Sequence, residues 1–112
     1  MQQRRIAGLP DAALAAAAAF HADWLPGLRA DASTEDLALI FPPADHTHRG
    51  WRLAAVQGLA LELAPRRVNA LAADGEAAIV AALAYLAGAE GLTGQYLPLD
   101  DAGGGAVIGS AA

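Results

Sequence analysis

The chain has 112 residues, a net charge of −5 and no cysteine. That length fits one domain with a thin core. The acidic balance, with no basic run longer than two residues, argues against a nucleic-acid surface. Lack of cysteine excludes disulfides, thiolate metal sites and cysteine nucleophiles, and fits a reducing cytoplasm. Apolar residues make up 55% and charged residues 17%, leaving too little charge to coat every face. The surplus predicts a surface covered by a partner subunit.

Met1–Arg5 followed by Ala12–Phe20 imitates a signal peptide, but Pro10 and Asp11 interrupt it. No stretch supplies the roughly 18 apolar residues of a membrane span. The first predicted element is a helix over Ala12–Trp24, capped by Asp11 and ended or kinked at Pro26-Gly27, with Leu28–Ala30 as a possible last turn. Asp31–Glu35 reads as a loop. Asp36–Phe41 is a short apolar run closed by Pro42-Pro43, as in a buried strand.

A long helix follows over His46–Ala64, with Asp45 as N-cap. At 100° per residue Leu53, Val56, Leu59, Ala60 and Leu63 share one face, and Trp51, Ala54, Ala55, Gly58 and Leu61 much of the other. One sheet covers only one such face, so Trp24, Trp51, Ala54, Ala55, Gly58 and Leu61 become interface candidates. Arg67–Ala72 reads as a second strand, Asp74 as the cap of a third helix, and Gly94–Leu99 as a third strand. Residues 101–112, with Gly103–Gly105, read as a flexible tail in which Ala106–Ile108 adds at most a short extended segment. Alternating helices and strands predict an α/β fold, a parallel sheet joined by right-handed crossovers.

Three ordered segments carry a family resemblance: Leu59-Ala-Leu-Glu-Leu-Ala-Pro65, Arg67-Val-Asn-Ala70 and Thr93-Gly-Gln-Tyr-Leu-Pro-Leu-Asp100. They resemble the C-terminal half of a short-chain dehydrogenase/reductase. The resemblance implies a truncated Rossmann-like three-layer fold over residues 1–100, with about three parallel strands and three helices. It also implies pairing of the Ala12–Trp24 and His46–Ala64 helices with a second copy in a four-helix bundle. The family's proton-donating tyrosine and its lysine fall, by ungapped counting, on Asp45 and Arg49. An aspartate ionised at neutral pH is a poor acid, and arginine does not reproduce lysine's geometry. No Gly-rich strand-to-helix turn appears near the N-terminus, so no cofactor cradle is expected.

The densest polar cluster is Asp45-His46-Thr47-His48-Arg49. It reads as a capping aspartate with solvated histidines. A zinc or copper site is the alternative, but residues two apart on a helix diverge, and no metal is expected. Arg49 and Arg52 with free helix amides form a candidate anion site, although Arg52 by itself reads as a surface residue. His21 reads as packing filler, and Tyr85 and Tyr96 lack a lysine at motif spacing. Arg66-Arg67 read as solvating a turn while offsetting the preceding helix end, and Asn69 as satisfying a neighbouring loop. These readings favour a non-catalytic protein without cofactor, acting as an oligomeric structural or binding module, a dimer or tetramer. Two alternatives stand beside it: an NAD(P)-dependent half-enzyme completed by a separate nucleotide-binding subunit, and a small-molecule or anion binder using the Asp45–Arg52 helix mouth.

Overall fold

The computed structural model describes residues 1–99. The expected tail over 101–112 lies outside them. Four parallel strands form one sheet in the order β1-β2-β3-β4: β1 Gln2–Arg5, β2 Leu37–Phe41, β3 Val68–Ala72 and β4 Tyr96–Pro98. Every residue of β2 and β3 is buried, as the apolar run of β2 and the largely apolar run of β3 demand, with Asn69 the one polar residue in the pair. The sheet is the α/β Rossmann-like arrangement expected, with β1 added at one edge.

The first helical rod runs on past Pro26. α1 (Ala13–Ala19) passes through a wide π turn (Phe20–Trp24) into α2 (Leu25–Asp31). Pro26 has no N–H and its ring would crowd the preceding carbonyl. The widened turn, closed by Leu25 N–H on the Phe20 carbonyl, absorbs both problems where a break was expected. Asp11 does not cap this rod: the N-cap is Ala12, without a side-chain bond. A 3₁₀ turn at His46–His48 leads into α3 (Arg49–Glu62), and α4 spans Glu76–Gly88. Gly75, not Asp74, is the N-cap of α4, and Glu76 in its first turn pairs with Arg5 of β1.

The α1–α2 rod and α3 pack side by side on one face of the sheet. Phe20, Leu28, Val56 and Leu59 bury against Leu37, Leu39, Phe41 and Val68 there. Across the sheet Ile79, Ala82, Leu83 and Leu86 of α4 bury against Ala38, Ile40 and Leu71. All three connections step the same way along the sheet, so the β3–α4–β4 crossover has the opposite hand to the first two. The uniform handedness expected therefore fails at the last connection. The reason is burial: a helix on the same side as α3 would leave Ala38, Ile40 and Leu71 facing water.

The α2–α3 contact is tied by a two-pronged ion pair, Arg29 Nε and Nη2 donating to Glu62 at 2.6 and 3.0 Å. Arg67 was expected to serve the preceding helix, but it reaches the following one. Its Nη1 donates to the Leu86 and Ala89 carbonyls at 3.0 and 2.6 Å, satisfying the end of α4. Its Nε and backbone N–H both donate to Asp36, at 3.0 and 2.8 Å. Asn69 meets the loop before β4 as expected: its side-chain amide donates to the Leu92 carbonyl, and its oxygen accepts from Gln95 N–H. No helix among the described residues is long and apolar enough to cross a membrane.

Candidate functional site

The carboxyl ends of β1 and β2 open onto a cleft of about 300 Å³, lined by the two turns that leave them, Gly8–Asp11 and Pro42–Asp45, together with Ala16, His48 and Arg52. Parallel sheets place ligands at this edge, because helix starts and loop amides gather there. Gly8 has φ +76°, a left-handed conformation that lets the chain turn from β1 toward α1. The strand-to-helix turn is therefore present, but with a single glycine.

Asp45 caps the helix as expected. Thr47 donates to its Oδ1 from the backbone N–H at 3.0 Å and from the hydroxyl. Those bonds, the hydroxyl's first and then the amide's, hold the Asp45 carboxyl below its ordinary value. It is ionised at neutral pH and has no proton to give. Asp45→Ala should lower the unfolding midpoint in urea, whereas Asp45→Asn should retain most of it, since asparagine caps equally well.

The two histidines part company. His46 is exposed, but His48 is buried, contrary to the solvated reading. Its Nδ1 accepts from Trp51 Nε1 at 3.0 Å, and its Nε2 lies 2.8 Å from the Asp11 carbonyl. Indole N–H only donates, so Nδ1 is the acceptor and Nε2 carries the hydrogen given to Asp11. Both ring nitrogens are thus engaged, and the bond to Asp11 joins the two turns. No group of three or more His, Asp or Glu able to hold a metal occurs among the described residues.

The arginines also divide. Arg49 is exposed and outside the cleft lining. Arg52, read from sequence as a surface residue, is 3% exposed. In the first turn of α3, it points to the sheet side of that helix. Its guanidinium carbon sits 4.5 Å over the Phe41 ring. Nη1 donates to the Pro42 carbonyl at 2.9 Å and to the Tyr96 hydroxyl at 3.0 Å, and Nε is buried without a partner. Sequence reasoning missed this Arg52–Tyr96 contact. A polar residue seven before Leu59, and so in line with it on the buried face of α3, was the available signal.

Of the interface candidates, Ala54, Gly58 and Leu61 lie exposed along α3, and Leu61 is 83% exposed. Trp51 and Ala55 turn toward the chain's own core instead. Trp51 packs 5.5 Å from Phe20 and 5.7 Å from Phe41, and Ala55 is buried. Trp24 is half-buried against the same cluster. The outward flank is therefore narrower than the sequence pattern implied, because α3 rests against both the sheet and the α1–α2 rod.

A dinucleotide cofactor does not fit the described residues. The β1–α1 turn offers one glycine, and Pro10 removes an amide from it. Among the described residues the strand order does not reverse, so they do not form the crevice that holds a dinucleotide in doubly wound sheets.

In comparison with known families, the model of the family described as "Short chain dehydrogenase-like protein" matches residues 4–99. No curated protein and no solved structure matches the chain. With that match running from within β1 through β4, the chain belongs to the short-chain dehydrogenase-like family.

Proposed function

We propose that the chain is a non-catalytic member of this family that works as a binding module assembled from copies of itself. The observation that carries this reading is the state of Asp45. At the position of the family's tyrosine stands a carboxylate committed to capping α3 and held in its charged form. Arg49, at the lysine position, faces solvent. Neither residue offers a proton to a substrate carbonyl.

Assembly is supported by the exposed flank of α3. A Cβ added at Gly58 meets nothing within 4 Å, so an isolated helix forgoes roughly 0.5–1 kcal/mol by keeping glycine there. Close approach of another helix gives that glycine a use, and Leu61 beside it supplies apolar area. The edge strand β1 supports self-assembly over completion by a nucleotide-binding subunit. Gln2, Gln3, Arg4 and Arg5 place polar groups on both of its faces, whereas a strand inside a longer sheet is covered on both.

Sedimentation velocity at micromolar concentration is expected to give a dimer or tetramer. Leu61→Glu should yield a folded monomer, with circular dichroism unchanged. A wild-type monomer would remove the assembly. Saturable quenching or enhancement of NADPH fluorescence by the chain alone would remove the non-catalytic reading.

A further inference from the structure

We propose that the cleft between the β1–α1 and β2–α3 turns is a site for a small monocarboxylate with a short apolar body, its carboxylate paired with Arg52. A guanidinium that is 3% exposed is costly to bury without a counter-charge. Yet none of the ion pairs among the described residues includes Arg52. Its two acceptors, the Pro42 carbonyl and the Tyr96 hydroxyl, are neutral and share one nitrogen. The Nε–Nη2 edge, the fork that a carboxylate grips with two parallel bonds, has no protein acceptor, and Nε is an orphan donor. A side chain in that state, lining a cleft at the carboxyl edge of the sheet, retains donors for an anion.

The rest of the lining selects which anion. Leu9, Ala16, Pro42 and Pro43 give apolar walls, and about 300 Å³ of space is at the small end for ligand sites. Asp11 and Asp45 stand at the same cleft, and Asp45 is held ionised by Thr47. Two carboxylates repel a phosphate dianion more strongly than a singly charged acid.

The test is a titration of the ¹⁵N-labelled chain with butyrate, benzoate, butyramide and inorganic phosphate at constant ionic strength. Saturable shifts at the Gly8, Asp11 and Ala44 amides are expected with the two acids, and binding about tenfold weaker or less with butyramide and phosphate. Arg52→Met should weaken butyrate by about tenfold or more. Ala44→Trp, which narrows the cleft and leaves Arg52 in place, should do the same and keeps the test open if Arg52→Met fails to fold. Equal affinity for butyramide, unchanged binding by Ala44→Trp or by folded Arg52→Met, or no saturable shift up to about 50 mM acid overturns the proposal. A tighter response to phosphate overturns the choice of ligand class. Assembly is read separately by sedimentation, so a monomer that binds butyrate leaves this site standing.

Discussion

Replacing Phe41 with alanine is expected to lower the unfolding free energy by about 4 kcal/mol, measured by urea denaturation followed by circular dichroism. Phe41 ends β2 with no exposed surface. Its ring meets Phe20 at 5.7 Å, Trp51 edge-on at 5.7 Å and Tyr96 edge-on at 6.2 Å, and it supports the Arg52 guanidinium at 4.5 Å. Truncation opens a cavity where the sheet, the α1–α2 rod and α3 converge, and it withdraws the π face beneath a buried cation. Phe41→Leu should cost less, since most of the volume remains. As a control, Val80→Ala on the solvent side of α4, where Val80 is 63% exposed, should change stability by less than about 0.5 kcal/mol.

The second large effect is expected at Arg67, where alanine should cost about 3 kcal/mol. One side chain links the start of β3 to Asp36, before β2, and to two carbonyls at the end of α4. Its removal leaves a partly buried carboxylate and two helix-end carbonyls short of a donor, and each such loss is more damaging than an exposed ion pair. Arg67→Lys should recover only part, because an ammonium does not span both partners in a planar fork. The pH dependence carries the same signature. The backbone N–H of Arg67 first, and then its side chain, hold the Asp36 carboxyl below its ordinary value. The Asp36 contribution is thus fully present above the unfolded-state value near 3.8 and is lost as pH falls through the depressed one. Stability should fall less steeply with acid in Arg67→Ala than in wild type.

The interior strands and the long helix were legible in the sequence, because β2 is an apolar run, β3 is broken only by Asn69, and Asp45 is a strong cap. β1 was not. Gln2–Arg5 has neither alternation nor apolar residues, and only pairing with β2 makes it a strand. The π turn was hidden because proline near a helix middle reads locally as a stop, while Phe20 and Leu28 on either side hold the rod against the core. In the site, capping is local chemistry and so was visible. The burial of His48 and Arg52 depends on partners 37 and 44 residues away in sequence, Asp11 and Tyr96, which no local pattern reveals. The Thr93-Gly94-Gln95 segment shows the reverse. Its motif stands in the local sequence, and its contacts give the reason for it: Thr93 Oγ1 accepts from Val68 N–H, and Gly94 turns at φ +75° while donating to the Val68 carbonyl.

The ribbon formed by Gln2–Arg5 also bears on how these molecules avoid sticking together. A bare row of peptide groups invites another chain to dock lengthwise and seed fibrils. Arginines 4 and 5 project to opposite sides of that ribbon, each anchored by a carboxylate from the layer it meets, Asp31 or Glu76. A stray strand approaching the rim would have to strip water from these cations. In the proposed assembly, contact between copies would thereby fall on helical flanks rather than on backbone pairing.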